Sequence, residues 1–245
     1  MIESVKPYEQ MKPSGLPWVA QIPVGWEVLR AKSVFAAIDE RSTTGGEELL
    51  TVSSAKGIVP RSSSNVTMFK ANSYIGHKLC SPGDLVVNSL WAWAGGLGVS
   101  SHRGIISTAY SVYRPKAEFA CYAEYLHEAL RSLAYKWELA VRSKGIWVSR
   151  LQLSDESFMA MPLLLPPREE AERIIGQLRA SLSDLNTSVL TLERECELLT
   201  EYRTRLTSDV VTGKLDVRAA AKSLPEGLDE ATGESSRATF AGAST

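Results

Sequence analysis

The chain has 245 residues, enough for one sizeable domain with an extension or for two small domains, and its 44% hydrophobic and 22% charged content is ordinary for a globular protein. This composition excludes global disorder. The net charge of -1 conceals a partition: residues 1–55 carry 5 basic and 7 acidic side chains, residues 56–150 carry 12 and 5, and residues 151–245 carry 10 and 16. A basic middle segment between acidic ones is typical of a protein that faces a polyanion, although scattered, solvated lysines and arginines would give the same count.

The sequence carries no sign of export or of membrane insertion. Its first residues, MIESVKPYEQ, lack a basic region followed by an apolar stretch, and the longest mostly apolar stretch, 85–99, is interrupted by polar residues and glycines. Three cysteines at unrelated spacings fit a reducing compartment better than a disulfide framework. We therefore expect a cytoplasmic protein with no signal peptide and no membrane span.

The first two thirds of the chain predict a short lead-in and a mixed domain. Residues 1–25 are rich in proline and glycine, which predicts an extended lead-in on the surface rather than a helix or a strand, held down by Trp18 and Trp26. Residues 26–165 alternate apolar runs with turn-rich loops, which predicts an α+β domain. The predicted strands are 49–53, 84–90, 109–114 and 161–165, and the predicted helices are 31–37 and 120–141, the latter with an apolar stripe that includes Leu133 and Trp137.

A long helical pattern follows, from Pro167 to Val210. Pro167 and the acidic residues after it favour a helix start, and Gly213 favours its end. At 1.5 Å rise per residue the helix would be roughly 65 Å long, more than a small domain can cover alone. Residues 166–213 are therefore predicted to form a spacer and dimerisation helix, and residues 214–245 a C-terminal segment that is a disordered tail from residue 219 onward.

The helix carries a heptad repeat, because its seam positions are separated alternately by 4 and 3 residues. This pattern predicts a long coiled-coil α-helix after the globular domain. Arg203 interrupts the apolar seam and would set its register or face another partner. The predicted dimerisation residues are Leu178, Leu182, Leu185, Val189, Leu192, Leu199 and Leu206.

Motifs for catalysis are absent from the sequence. It has no Asp/Glu-x-Lys triplet, no Asn/Asp-Pro-Pro-aromatic tetrapeptide, no GxSxG, no GxxxxGK[ST] and no HExxH. His77 and Cys80 have metal-pair spacing, but zinc needs about four ligands, so we expect structural or surface roles for them. The glycines of residues 95–98 (GGLG) follow a predicted strand without a helix pattern behind them, which favours a tight turn with close backbone approach over a nucleotide site. We expect no catalysis and no bound metal or cofactor in this chain.

Two basic clusters have the residue types that contact nucleic acid. The first consists of Lys56, Arg61, Ser62, Ser63, Ser64, Asn65 and Lys70, and the second of Lys136, Arg142, Lys144, Trp147 and Arg150. Arg and Lys neutralise phosphates or read guanine, Asn and Ser read adenine or bind phosphate, and Trp stacks. Trp91 and Trp93 would share one face of a strand, either in the core or towards a groove, and we favour the core.

Four segments resemble the DNA specificity subunits of type I restriction-modification systems, over roughly residues 15–218. They are GLPWVAQIPVGWEVLRAKSVF, NSLWAWAGGLGVSSHRGIISTAYSVYRP, MPLLLPPREEAERIIGQL and LLTEYRTRLTSDVVTGKLDVR. The resemblance implies a target-recognition domain that reads one half of a split site in double-stranded DNA, with the long helix as a spacer. It also implies a chain without an active site, which docks an adenine-N6 methyltransferase subunit that uses S-adenosylmethionine and a restriction subunit that uses ATP and Mg.

Members of that family usually carry two recognition domains and two helices in tandem, whereas this chain has one of each. The resemblance therefore implies a half-subunit that forms a homodimer through its helix and reads a gapped inverted repeat. The candidate DNA-binding residues are Lys56, Arg61, Ser63, Asn65, Lys70, Arg103, Arg142, Lys144, Trp147 and Arg150. The alternative is a scaffold or ligand-binding module without DNA, whose coiled-coil tail serves oligomerisation only.

Overall fold

A computed structural model of the chain describes residues 7–54, 56–63, 73–145, 151–216 and 218. By the contacts that its residues make, the chain divides into two units, Met1–Ser181 and Leu182–Thr245. This division falls inside the long helix, because Ala171 and Ile175, in the first turns of the helix, are buried in the core of the first unit. The domain boundary expected between residues 165 and 166 stays a prediction.

Twelve strands lie in the described part of the first unit, and every pairing between them is antiparallel. They are β1 (Met11–Leu16), β2 (Val19–Pro23), β3 (Glu27–Arg30), β4 (Phe35–Ile38), β5 (Leu50–Ser53), β6 (Gly57–Pro60), β7 (Lys78–Cys80), β8 (Leu85–Asn88), β9 (Leu97–Val99), β10 (Gly104–Ile106), β11 (Tyr110–Pro115) and β12 (Pro162–Leu165). The four strands predicted from the sequence are confirmed as β5, β8, β11 and β12.

The described residues form five α-helices, which are α1 (Ala31–Val34), α2 (Ala123–Arg131), α3 (Leu133–Arg142), α4 (Asp155–Met159) and α5 (Arg168–Val211). Short strands and helices thus share the first unit, and α5 continues for 44 residues. The predicted fold class, an α+β domain followed by a long helix, is confirmed.

The largest sheet has the strand order β4-β11-β8-β9 and is covered on both faces. Successive side chains of a strand point to opposite faces, so Leu85 and Val87 of β8 enter the larger hydrophobic cluster while Val86 enters a smaller one with Leu50 and Ile106. This explains why β8 reads as a continuous apolar run rather than an alternating one.

The prediction of a single helix at 120–141 is wrong, because the chain breaks at Ser132 into α2 and α3. Ser132 has extended backbone angles, and its hydroxyl accepts a hydrogen bond from the backbone N–H of Tyr135, which makes it the N-cap of α3. Serine side chains compete for backbone hydrogen bonds in this way and favour helix starts. The break changes which residues are buried, so that Leu133 is 84% exposed and Trp137 47% exposed.

Two further expectations for the first part of the chain are corrected. The lead-in of residues 1–25 was expected to contain no strand, yet β1 and β2 form a hairpin in which Met11 pairs with Pro23. Proline is tolerated there because both strands of a two-stranded sheet are edge strands. The first helix ends at Val34 rather than near residue 37, since the following residues pair with β11 as β4.

Strands β3 and β12 bring the beginning and the end of the domain together. They pair antiparallel, with Leu165 opposite Glu27. The hydroxyl of Tyr125 donates to the Leu164 carbonyl at 3.0 Å, and the Leu164 N–H donates to the hydroxyl of Tyr135 at 2.8 Å. Burial raises the pKa of both tyrosines, so both hydroxyls stay neutral and hold β12 in the core.

The start of α5 is tied to the lead-in by aromatic residues. The indole N–H of Trp26 donates to Glu170 Oε1 at 2.9 Å, and the hydroxyl of Tyr8 donates to the same oxygen. The ring of Trp18 meets Tyr135 edge to face, with 4.9 Å between ring centroids. The anchoring roles predicted for Trp18 and Trp26 are confirmed.

Candidate nucleic-acid interface

Lys56 lies exposed in the turn of the β5–β6 hairpin, and its backbone N–H donates to the Ser53 hydroxyl at 3.1 Å. Arg131, in the last turn of α2, holds this hairpin in place. Its guanidinium donates to the carbonyls of Ser53, Ser54 and Leu97 at 3.4, 3.0 and 2.9 Å. No local pattern in the sequence indicates this role for Arg131, because the carbonyls that it binds belong to distant segments. The hairpin turn is therefore a positioned element that presents a lysine.

Arg61 and Arg103 lie on two sides of one segment, residues 47–49. The backbone N–H of Arg61 donates to the Leu49 carbonyl at 2.8 Å. Two residues after Arg103, the backbone N–H of Ile105 donates to the Glu48 carbonyl, also at 2.8 Å. Arg103 itself is exposed. Hydrogen bonds from the Ser42 hydroxyl and the backbone lower the pKa of the Glu47 carboxyl, and the charge of Arg103 adds to this effect.

The remaining candidates of the first cluster are placed only in part. Ser63 ends a short 3-10 turn, Arg61–Ser63. Asn65 and Lys70 lie outside the described residues, so their proposed contacts stay predictions. The structure thus brings Arg61 and Arg103 to one segment and places Lys56 at a separate hairpin turn.

In the second cluster, Arg142 and Lys144 differ in how they are held. The Nε of Arg142 forms an ion pair with Glu138 Oε1 at 2.6 Å, and Glu138 is buried. Lys144 is exposed, and its backbone exchanges two hydrogen bonds of 2.9 Å with Gln152. Trp147 and Arg150 lie outside the described residues, so their proposed contacts stay predictions.

The expectation that Trp91 and Trp93 are core residues is wrong. Trp91 is the N-cap of a 3-10 turn, Ala92–Ala94, between β8 and β9, and Trp93 is the middle residue of that turn. The two rings stack on each other with 5.7 Å between centroids. Trp91 is 56% exposed, because the small Ala92 between them fills the core position instead. The strand ends at Asn88, so the spacing of two residues no longer places both side chains on a strand face.

The close approach predicted for the glycines after this turn is confirmed. Gly95 has φ of +85°, a left-handed conformation that side chains rarely adopt. A Cβ atom at Gly95 would lie 2.7 Å from Cε of Lys136, so the lysine side chain of α3 passes directly over the turn. At Gly96, a Cβ atom would lie 2.8 Å from the Trp91 carbonyl oxygen.

The second unit consists, among the described residues, of the remainder of α5 and a short segment after it. Leu178 belongs to the first unit and packs against its core. The other six predicted dimerisation residues lie in the second unit, and all six are exposed. Five further exposed apolar residues of the described part of this unit lie outside the predicted seam, namely Leu190, Leu198, Tyr202, Val211 and Leu215. The spacing of four between Leu198 and Tyr202, which places them on one helix face, was the signal available in the sequence.

Within the part of the chain that the structure describes, no group of three or more His, Cys, Asp or Glu side chains could hold a metal ion. Cys80 is buried, which raises the pKa of its thiol to about 11, so it stays protonated at neutral pH. No described helix is both long enough and apolar enough to cross a membrane.

Solved structures similar to this chain come from restriction-modification systems. One describes complex assembly and conformational transition of the type I R-M system; it is 19% identical, has a TM-score of 0.51, and the match covers 84% of this chain and 51% of that one. The HsdS subunit from Thermoanaerobacter tengcongensis is 21% identical, with a TM-score of 0.42 over 74% of this chain and 42% of its own. The type I S subunit from M. genitalium is 11% identical, with a TM-score of 0.49 over 75% and 46%.

No family model matches the sequence, and no curated protein sequence matches it significantly. The chain spans about half the length of the structures that it matches. Only the first structure has a TM-score above 0.5, and it supports the comparison of folds alone. The chain has the fold of a protein in a type I restriction-modification assembly, so the resemblance drawn from the sequence is confirmed at the level of the fold.

Proposed function

We propose that this chain is a non-catalytic DNA specificity subunit of a type I restriction-modification system. It acts in the cytoplasm, binds no cofactor itself, and reads one half of a bipartite site in double-stranded DNA. It docks an adenine-N6 methyltransferase subunit, which supplies S-adenosylmethionine, and a restriction subunit, which supplies ATP and Mg. Two copies pair through α5 and together read a gapped inverted repeat.

The observation that carries this proposal is the match in fold over 84% of the chain to a structure from a type I R-M system. The match extends beyond the α+β domain, because the first 165 residues are fewer than 84% of the 245-residue chain. The four sequence segments named above point to the same family independently of the fold.

The charges of the first unit support DNA as the ligand. Lys56, Arg103 and Lys144 are exposed at separate places outside the named strands and helices of one folded unit. Exposed basic side chains suit phosphate contacts, which give affinity, whereas base contacts give the sequence preference.

The exposed apolar residues of α5 support pairing between two copies. An apolar heptad seam that lacks a partner exposes large side chains to water, and burying each of them against a second helix contributes roughly 1.5–3 kcal/mol. A second copy supplies an identical seam, and a two-fold axis places its recognition domain on an inverted half-site.

The test is a comparison of N6-methyladenine across the host genome with and without the gene. We expect methylation to disappear at a gapped inverted repeat. Loss at an asymmetric gapped site would keep the specificity role and replace the homodimer by a pairing with another specificity subunit. Unchanged methylation in cells that express the protein would contradict the proposal and favour a scaffold that self-associates without DNA.

A further inference from the structure

The turn that carries Trp91 and Trp93 is held by hydrogen bonds, while the ring of Trp91 is exposed and that of Trp93 is half-buried. The backbone N–H groups of Trp91, Gly95 and Gly96 all bond within the turn, to the carbonyls of Asn88, Ala92 and Trp91 at 2.8–2.9 Å. The indole N–H of Trp93 donates to the Leu90 carbonyl at 3.0 Å, and this hydrogen bond fixes the orientation of the Trp93 ring. Trp91 stacks on that ring and keeps its outer side in contact with water.

Exposed indoles on a rigid turn are suited to binding a flat ligand. A tryptophan that is already oriented loses little conformational entropy when a ligand packs on it. Leu90, which precedes the pair, is also exposed, so the apolar surface continues beyond one ring. Single exposed apolar residues are common on proteins, whereas a contiguous pre-formed aromatic patch marks an interaction site.

The charge around the turn indicates what the ligand is. Lys136 crosses over Gly95, and neither Lys136 nor Lys144 takes part in an ion pair among the described residues. The only carboxylate of α3, Glu138, is buried and paired with Arg142. The accessible charge that α3 brings to the aromatic pair is therefore positive.

The backbone that precedes the turn lies close to the segment that pairs with Lys144. The Ser89 carbonyl, two residues before Trp91, accepts a hydrogen bond from the Leu153 N–H at 2.9 Å, and the adjacent Gln152 exchanges backbone hydrogen bonds with Lys144. A flat aromatic ring beside an ammonium group complements a nucleobase next to a phosphate.

We propose that Trp91, backed by Trp93, packs its exposed indole against a base of the bound DNA, and that Lys136 neutralises an adjacent phosphate. This inference rests on the proposed function, because it assigns a base contact within the same DNA interface. Trp91 adds to affinity by stacking and apolar contact, whereas Lys136 adds an electrostatic contact that salt weakens.

The test measures binding of the 245-residue chain, alone and with its methyltransferase subunit, to a duplex that carries the methylated site. Trp91→Ala should weaken binding about 5- to 150-fold without changing its dependence on salt. Lys136→Gln should reduce the slope of log K against log salt by about 1. Trp137→Ala, which removes a tryptophan of similar exposure from α3, is the matched control and should leave binding unchanged.

A second pair of variants separates stacking from a general loss of structure. Trp91→Phe keeps a flat ring and should bind within about threefold of wild type, whereas Trp91→Leu keeps apolar volume without a ring face and should bind as weakly as Trp91→Ala. Equal binding by the Phe and Leu variants would overturn the stacking role. So would normal DNA binding by Trp91→Ala with loss of the methyltransferase subunit, which would make the pair a protein contact. Failure of the wild-type chain to bind any duplex would instead overturn the proposed function itself.

Discussion

The leucines of the two units have opposite environments. In the first unit Leu85, Leu97 and Leu163 are completely buried between the sheet and the helices. In the second unit Leu185 is 61% exposed and Leu199 is 66% exposed, although both belong to a regular helix. Burying apolar surface drives folding. The first unit buries its leucines within itself, whereas the second unit needs another apolar surface to pack against.

This difference indicates that the stability of the two units depends on different variables. The unfolding free energy of the first unit should be independent of protein concentration. The helical second unit should gain its stability from association and should therefore depend on concentration. Substitutions can separate the two behaviours.

The largest effect is expected from Leu185→Asp combined with Leu192→Asp. Two carboxylates in an apolar seam must be desolvated without a partner, so the dimer should dissociate into monomers at micromolar concentration and methylation at the target should be lost. Analytical ultracentrifugation measures the association state. The melting transition of the first unit should not move.

A matched control places the same charges on another face of the same turns. Thr187→Asp with Thr191→Asp lies away from the predicted seam, and both threonines are exposed. This variant should remain a dimer. An active, stable monomer from the first double variant would refute the pairing of the helices.

The next effect is expected in the core of the first unit. Phe158 is completely buried, stacks on Tyr113 with 4.3 Å between ring centroids, and lies beside Phe35. Phe158→Ala should lower the unfolding free energy by about 3–5 kcal/mol through lost burial and a cavity. Urea titration measures this change. Leu133→Ala, at an exposed position of α3, should cost less than about 0.5 kcal/mol, and equal losses would contradict the assigned core.

A smaller effect is expected from a buried carboxylate of the same unit. Asp84 accepts hydrogen bonds from Arg114 Nε at 2.8 Å, from another Arg114 nitrogen at 3.0 Å and from the Ser81 N–H at 2.9 Å. Asp84→Asn should cost about 1–3 kcal/mol, because an amide cannot accept all three. The identical change at Asp39, which pairs with Arg41 at the surface, should cost less than about 1 kcal/mol. Thermal melts of both variants decide whether Asp84 stabilises the sheet.

The smallest effect is a pH dependence confined to the first unit. Burial and then the charge of Arg131 lower the pKa of His127, whose Nδ1 accepts the Val99 N–H at 3.1 Å. The pKa of His127 in the folded protein lies below its unfolded value of about 6.5. At pH values between these two pKa values, the unfolded chain therefore binds more protons than the folded chain. Stability should be fully present above about pH 6.5 and should fall as the pH drops towards the folded pKa. His127→Gln should remove this part of the slope in urea titrations between about pH 5 and 7. An unchanged slope would contradict the role of His127.

The sequence predicted those parts of the fold that depend on local patterns. The strands β5, β8, β11 and β12 were correctly assigned from short apolar runs between turn residues, and α5 was correctly assigned from a repeat of fixed period, because both signals lie within a few neighbouring residues. The break at Ser132 was missed, since the apolar spacing continues across it and only one hydroxyl marks the new helix start. The β1–β2 hairpin was missed because prolines usually argue against strands.

The candidate site was less predictable because it depends on contacts between distant segments. Lys56 and Lys144 were chosen from composition, and both side chains are exposed. The sequence could not show that Arg142 pairs with a buried glutamate or that Arg131 binds the hairpin carbonyls. Trp91 was assigned to the core because tryptophans are mostly buried, whereas the turn at Ala92 places its ring outside.

The pairing of β3 with β12 brings the two ends of residues 27–165 together. Because Glu27 and Leu165 are neighbours across one strand pair, the polypeptide enters and leaves this part of the first unit at a single point. A different sequence could be joined to the same helix if it kept this strand pair and a surface that buries Ala171 and Ile175. Under the proposed function, recombination at these two borders is expected to change the DNA preference while the helix stays the same.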